Sequence, residues 1–225
     1  MKRFCPVELG WPGNRPGQLI ALLIVATWAP CLAPASLRAQ EVAPETAAAL
    51  QNPAVQTQAL ALARSSLAGW LATGRLPPLP DRLAPVLRER GAVIVTLEVP
   101  GQVAPRGCRG TLEPAYDSLA LEIAHNAVAA ATRDDRVAPL RAQELAECRI
   151  SLTVILRLRP IPSLAQHDPA NDGLIARSGD RVGIVLPYEG HDSATQWLWA
   201  KRKAGLADEA PAAMFELEAV RFKES

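Results

Sequence analysis

A regular alternation of apolar and polar residues from Cys148 to Arg159 constrains the fold more than any other stretch of the chain. Successive side chains of a β-strand point to opposite faces of a sheet, so a period of two residues predicts a strand with one face on a hydrophobic core. The apolar positions of this strand are Ile150, Leu152, Val154, Leu156 and Leu158.

Three further segments have the composition of β-strands. The run from Ala92 to Glu98 is apolar and rich in β-branched residues, and residues 103–112 can return beside it. Residues 174–177 and 182–186 flank a turn near Gly179 and Asp180, which predicts a hairpin. Together these segments predict antiparallel pairing.

Three helices are predicted between and around these strands. Residues 56–73 repeat apolar side chains at helical spacing, and residues 116–134 do the same after a cap at Asp117 or Ser118. The last helix opens with a capping box that starts at Ser193. Gly205 is placed to end this helix. In the second helix, a broad apolar arc predicts packing on two sides, with Glu122, Asn126 and Arg133 on the opposite, polar face. Because helices and strands do not alternate regularly, the predicted fold class is α+β with antiparallel sheet.

The first 39 residues have the features of an export signal. Lys2, Arg3 and Arg15 precede an apolar run, and the small residues that follow suit cleavage after Ala39. The alternative is a membrane anchor, but prolines interrupt the run and it is shorter than the roughly 20 residues needed to span a bilayer. We therefore expect a signal peptide at 1–39, a flexible arm at 40–55 and one folded domain at 56–222. The mature protein is expected to be exported, either periplasmic or extracellular.

Charge excludes some classes of partner. The whole chain has 24 lysine and arginine residues against 23 acidic ones. Loss of the signal peptide would remove more positive than negative charge. No basic patch typical of nucleic-acid binding and no polybasic run for a membrane surface is present. The expected partner is therefore a small ligand or a protein, with no nucleic acid and no membrane contact after signal cleavage.

Two cysteines, Cys108 and Cys148, remain in the predicted mature chain. In an oxidising compartment they could form a disulfide if their Cα atoms lie within about 7 Å of each other. They could equally be two buried thiols, since free cysteine behaves as a small hydrophobic residue. The sequence leaves both possibilities open.

The stretch from Arg106 to Thr111 places Cys108 between two glycines and two arginines. Nearby positive charge favours a reactive thiolate, and glycines let a ligand approach the backbone. On a strand, Arg106 would share the face of Cys108, whereas Arg109 would point the other way. The alternatives are a buried structural cysteine with glycines that permit close strand packing, a catalytic thiol, and a contact with a ligand or a metal.

Other chemistry has weaker signals. His125, His167 and His191 are the candidate bases for a thiol enzyme, but none has a diagnostic spacing. Aspartates next to His167 and His191 are residues of the kind that bind metals, but their spacing matches no known metal-binding motif. No metal site is therefore predicted. No nucleotide-binding glycine motif is present, and no cofactor is predicted. Trp197 and Trp199 face different directions on their helix. Packing in the core or between the lobes is the expected role, and an exposed aromatic platform for a ligand is the alternative.

The order of landmarks resembles that of the AMMECR-one domain family, over roughly residues 56–222. The family signature is a strand, then L-R-G-C-I-G-T, then a helix with N-A-x-x-A-A, then D-P-R-F. The matching positions here are Arg106 to Thr111, Asn126-Ala127 with Ala129-Ala130, Asp134 to Val137, and three later landmarks at Asp172 to Ile175, Gly183 to Pro187 and Lys203 to Leu206. The chain departs from the signature at Arg109, Asp135 and Val137.

The resemblance implies a two-lobed α+β domain, with mainly antiparallel sheets flanked by helices and a cleft beside the cysteine motif, and it implies no particular reaction. Our first hypothesis is a protein that binds a small ligand or partner segment in this cleft. The candidate ligand-binding residues are Arg106, Gly107, Arg109, Gly110, Thr111, Asn126 and Arg136. The alternatives are a thiol-dependent enzyme with Cys108 as nucleophile, and a structural protein-interaction domain.

Overall fold

The computed structural model describes residues 39–187, 189 and 192–225. The strands are β1 (Gln40–Glu41), β2 (Val93–Glu98), β3 (Gly107–Gly110), β4 (Arg149–Pro160), β5 (Gly173–Ser178), β6 (Arg181–Val185) and β7 (Ala213–Lys223). The helices are α1 (Pro44–Leu50), α2 (Pro53–Thr73), α3 (Pro85–Arg88), α4 (Leu119–Thr132) and α5 (Ser193–Lys203), with 3₁₀ turns at Ala142–Glu147 and Leu164–Gln166. Within this part of the chain, no helix has the length and apolar character needed to cross a membrane.

All seven strands join one antiparallel sheet in the order β3-β2-β4-β7-β5-β6, with β1 paired to β4 outside this path. The sheet curls into a half-barrel. Helices α2 and α4 pack at the end that holds β2 and β3, and α5 packs on β5 and β6. The α+β class, the antiparallel pairing and the flanking helices are confirmed. The two lobes are the two ends of a shared sheet.

The long strand β4 is buried on both faces, whereas its alternation predicted one buried face. Ser151 and Thr153 are each 1 % exposed, because the curled sheet also covers its own inner face. A β-bulge lies between Ile155 and Arg157. An extra residue in one strand reverses the direction of the side chains that follow. Leu158 therefore packs in the inner cluster, while the preceding apolar residues of the pattern pack under the helices.

Residues 40–55 differ from the flexible arm expected at this position. Gln40 and Glu41 pair with β4, α1 follows directly, and Leu50 is 1 % exposed. The side chain of Asn52 then accepts a hydrogen bond from the Ala54 N–H group and caps α2. Pro44 and Pro53 each stand in the first turn of a helix, where a missing N–H group costs little. The alanine-rich composition that looked irregular therefore encodes a short helix.

Helix α4 begins after Ser118, whose side chain accepts from the Leu121 N–H group, as one of the two predicted caps. The predicted polar face is wrong for two of its three residues, because Glu122 is 0 % exposed and Asn126 is 6 % exposed. The reason is that α4 is covered by α2 on one side and by β2 and β3 on the other. Both polar side chains bond to the segments that pack against them.

Candidate functional site

The inner face of the half-barrel encloses a cleft of about 910 Å³. Residues of β2, β3, β6 and β7 line it together with the loop of residues 99–105 that joins β2 to β3. Because β3 and β6 are the two end strands of the sheet, the curl brings opposite ends of the sheet to one cavity. Cys108, Arg109, Gly110 and Arg136 are the candidate residues that line it.

Cys108 lies in the wall of the cleft, opposite Thr96 of β2. Its Sγ atom is 3.3 Å from Oγ1 of Thr96. Burial raises the pKa of the Cys108 thiol, and the contacts with Thr96 and Arg136 offset this only in part. Cys108 and Cys148 are both free, so the disulfide that the sequence left open is not formed. Burial therefore favours the neutral thiol of Cys108 over the thiolate.

The Asp134 side chain forms hydrogen bonds at the edge of β3, next to Cys108. One carboxylate oxygen accepts a hydrogen bond from the Cys108 N–H group at 2.8 Å, and Arg136 donates to both oxygens at 2.8 and 2.7 Å. The Arg136 guanidinium holds the pKa of Asp134 well below its usual range. The Asp134 side chain is 3 % exposed, whereas that of Arg136 is 65 % exposed and lines the cleft. The ion pair with Asp134 thus holds the Arg136 guanidinium at the opening of the cleft.

The two motif glycines are required by packing. A Cβ atom added at Gly107 would lie 2.1 Å from the carbonyl oxygen of Ala130 in α4. One added at Gly110 would lie 2.5 Å from Cα of Ile94 in β2. Real Cβ atoms do not approach other atoms so closely. Helix α4 can therefore lie on β3 only because residue 107 has no side chain.

Four of the candidate ligand-binding residues lie outside the cleft lining: Arg106, Gly107, Thr111 and Asn126. Arg106 turns away from Cys108, because Glu144 accepts from its guanidinium at 3.0 Å and the Ala138 carbonyl at 2.8 Å. The Thr111 hydroxyl donates to Glu122 at 2.6 Å, and Asn126 donates to the Val93 carbonyl at 3.3 Å. These residues stabilise the packing behind the cleft wall and do not face the cavity.

Arg109, where the family signature has isoleucine, lines the cleft and also donates to the Arg133 carbonyl and to Asp135, the latter at 2.8 Å. Four more cations line the cleft and were missed by the sequence reasoning: Arg149, Lys203, Arg221 and Lys223. Arg221 and Lys223 are two residues apart on β7, so they share a face. The alternation of apolar and polar residues in β7 is the sequence signal that could have placed Arg221 and Lys223 on one face.

The cleft lining is cationic. Among the described residues of the lining, the two acidic ones are already paired, Glu98 with Arg221 and Glu189 with Lys203. Within the described residues, Arg149 and Lys223 form no ion pair, and both are exposed. They lie on neighbouring strands β4 and β7, on the inner face. Arg149, which lies opposite Glu98 of β2, and Lys223 therefore face the same cavity as Arg109 and Arg136 without an ion pair of their own among the described residues.

The described histidines do not contact Cys108. His125 stacks on Tyr116 with ring centroids 4.0 Å apart, and His167 is buried and bonded to Gln196. His191 lies outside the described residues. Trp197 packs against the cluster under α5, as expected, whereas Trp199 is 40 % exposed. Among the described residues, no three histidine, cysteine or acidic side chains are grouped closely enough to hold a metal ion.

These features define an α+β domain with a curled antiparallel sheet, outer helices and a cationic cleft beside a cysteine-bearing edge strand. The sequence model of the AMMECR1 family matches residues 60–225. The chain therefore belongs to the AMMECR1 family.

The chain is also similar in sequence and structure to several known proteins. A protein of Thermotoga maritima is 37 % identical over 134 residues, which is 57 % of this chain and 76 % of the relative. One of Thermofilum pendens is 32 % identical over 167 residues, 66 % of this chain and 78 % of that one. The crystal structure of the uncharacterized protein PH0010 from Pyrococcus horikoshii superposes with a TM-score of 0.70 at 27 % identity. That match covers 77 % of this chain and 93 % of PH0010.

Proposed function

We propose that the protein binds an anionic small ligand or partner segment in the inner cleft of its sheet. The observation that carries this proposal is the pair of exposed cations, Arg149 and Lys223, which have no acidic partner among the described residues. Arg109 and Arg136 also line the cleft, each in an ion pair, with Asp135 and Asp134 respectively. Low-dielectric walls focus the field of like charges in a cleft and raise the local concentration of counter-ions.

Removal of the two unpaired cations tests this proposal. We expect the double variant Arg149→Gln/Lys223→Gln to bind inorganic pyrophosphate about ten-fold more weakly than the wild type at low salt, since two attractive charges each contribute a fraction of a kcal/mol to about 1 kcal/mol. Isothermal titration calorimetry measures this change. The matched control is Arg75→Gln/Arg82→Gln, which removes two exposed cations that do not line the cleft. Equal affinity of the two double variants would contradict the proposal.

The thiol-enzyme alternative has less support. A nucleophilic cysteine needs a lowered pKa or an adjacent base. Burial raises the pKa of Cys108, and neither His125 nor His167 contacts it. We therefore assign Cys108 to the wall of the binding cleft.

The interaction-domain alternative predicts a large exposed apolar patch. The large hydrophobic side chains exposed in the described part of the chain are Val103, Val182 and Trp199. Val103 and Val182 line the cleft itself, and Trp199 lies on α5. This distribution favours an occupant in the cleft over a flat contact surface.

We also propose that the protein is exported and that its signal is removed after Ala39. The charged start, the apolar run and the small residues before Gln40 support this. We expect the mature protein, purified from a bacterial host with two membranes, to begin at Gln40 and to fractionate with the periplasm. Mass spectrometry of the N-terminal peptide measures the cut. A chain that keeps its first 39 residues in the cytoplasm would contradict the proposal.

A further inference from the structure

We infer that the occupant of the cleft is an extended acidic polypeptide segment that pairs with the free edge of β6 and so lengthens the sheet by one strand. The inference rests on the proposed anion-binding function and names the class of ligand and its mode of attachment. Addition of a strand to an exposed sheet edge is a recurring mode of peptide recognition, in which main-chain hydrogen bonds provide affinity and alternate side chains provide specificity.

The outer edge of β6 has backbone groups that no described part of the chain pairs with. The β5–β6 hairpin closes on a two-residue turn, with Ser178 paired to Arg181. In such a hairpin the residues that flank the turn exchange hydrogen bonds, and every second residue does so along the strand. Gly183 and Val185 therefore bond to β5, while the N–H and C=O groups of Val182 and Ile184 point away from it. No described residue forms a backbone hydrogen bond with Val182 or Ile184 outside the hairpin.

The free edge opens into the cleft. Val182, Gly183 and Ile184 all line the cavity, and Val182 is 37 % exposed. A Cβ atom at Gly183 would meet the Ala200 carbonyl of α5 at 1.9 Å, so residue 183 faces the outer helix. Because side chains alternate along a strand, Val182 and Ile184 face the inner surface. A strand added beside them would point every second side chain into the cleft.

The opposite end strand is less available. On β3, the residues whose backbone groups point outward are Cys108 and Gly110, since the hydrogen bond from Thr111 to the Val93 carbonyl places the odd-numbered residues against β2. The Asp134 carboxylate already accepts from the Cys108 N–H group. The edge of β3 is thus covered by Asp134, and β6 is the edge that can accept a partner.

Charge selects the side chains of that partner. A segment on β6 would project alternate side chains toward the inner face, where Arg149 and Lys223 lack acidic partners among the described residues and Arg136 stands across the cavity. Acidic side chains at alternate positions complement these cations. Apolar side chains at such positions would instead bring unpaired cations into contact with apolar surface, which is unfavourable. An extended strand with glutamate or aspartate at every second residue can both form hydrogen bonds with the backbone of β6 and place negative charge beside the cations of the inner face.

The test uses fluorescence anisotropy of a fluorescein-labelled six-residue peptide of alternating valine and glutamate. We expect the wild-type protein to bind this peptide, and Val182→Pro to bind it about ten-fold more weakly than the matched control Val182→Thr, because proline removes one edge hydrogen-bond donor and its ring obstructs the approach of a strand. Proline is tolerated on edge strands where the N–H group points outward, so β6 keeps its pairing with β5.

A second measurement leaves the protein unchanged. Two methylated forms of the same peptide carry methyl groups on alternate backbone nitrogens, one form on the odd-numbered and the other on the even-numbered residues. One of the two forms should bind the wild type about ten-fold more weakly than the unmethylated peptide, because its methyl groups replace the N–H donors that face β6. Equal peptide affinity for Val182→Pro and Val182→Thr, or for all methylated and unmethylated peptides, would overturn strand pairing. Wild-type protein that binds pyrophosphate but not the peptide would overturn this inference and leave the proposed function standing. Protein that binds neither would contradict both.

Discussion

Replacement of Gly107 by alanine is expected to destabilise the fold by about 3 kcal/mol or more, the largest effect of any single methyl group in the molecule's cysteine motif. The added Cβ atom would lie 2.1 Å from the Ala130 carbonyl oxygen, which is itself held in the backbone of α4. Neither atom belongs to a flexible side chain, so the helix must move away from β3 and loosen the core beneath it. Urea unfolding, followed by circular dichroism, measures the change in free energy.

Gly91→Ala is the matched control for this variant. Its Cβ atom would meet only the Leu119 side chain, with the nearest atom at 3.4 Å, which is ordinary contact. We expect its free energy of unfolding to change by less than about 1 kcal/mol. Similar midpoints for Gly107→Ala and the wild type would show that α4 does not lie as close to β3 as described.

Replacement of Asp134 by asparagine is expected to cost about 3 kcal/mol at neutral pH. The carboxylate is 3 % exposed and accepts hydrogen bonds from Cys108 and from the charged side chain of Arg136. Hydrogen bonds to a charged acceptor contribute about 1.5–3 kcal/mol each, and loss of the charge weakens both of them. The free energy of unfolding at pH 7 measures the cost. Asp135→Asn is the matched control, because Asp135 is 94 % exposed and its ion pair with Arg109 contributes little.

The same substitution has a defined dependence on pH. Hydrogen bonding by Arg136 lowers the pKa of Asp134 in the folded protein, so this group stabilises the fold above its unfolded pKa of about 3.9. That contribution is lost as the pH falls from about 4 toward the lower, folded pKa. The stability difference between wild type and Asp134→Asn should therefore be constant from pH 5 to 7 and narrow below pH 4. A difference that stays constant down to pH 2 would contradict the role assigned to the carboxylate.

The cysteine motif and its neighbours illustrate how far sequence reasoning extends. The strand before the motif, the helix after it and the cap at Ser118 follow from local patterns, and the structure has them. The direction of Arg106 does not follow from strand alternation, because Arg106 lies just before β3 begins and bonds to Glu144, 38 residues later. Contacts over that separation depend on tertiary packing, which local spacing does not encode.

The cleft cations were missed for a related reason. Arg221 and Lys223 lie on β7, the strand between β4 and β5, whose segment was not recognised as a strand. Without β7 the sheet divides into two parts, and the positive charges on its inner face cannot be placed together. Gln40 and Glu41 show the same limit, since a two-residue strand has no period to detect and forms only because β4 is there to pair with it.

The central claim is that anions occupy the cleft beside Cys108, and protection of this thiol tests it most directly. We would measure the rate of alkylation by neutral iodoacetamide at Cys108 and Cys148, read by mass spectrometry, with and without saturating pyrophosphate. Cys108 borders the cleft, whereas Cys148 is 4 % exposed and lies in the core cluster under the helices. We expect pyrophosphate to slow the labelling of Cys108 in the wild type, to slow it less in Arg149→Gln/Lys223→Gln, and to leave the labelling rate of Cys148 unchanged. An unchanged rate at Cys108 with pyrophosphate at saturating concentration would contradict the central claim.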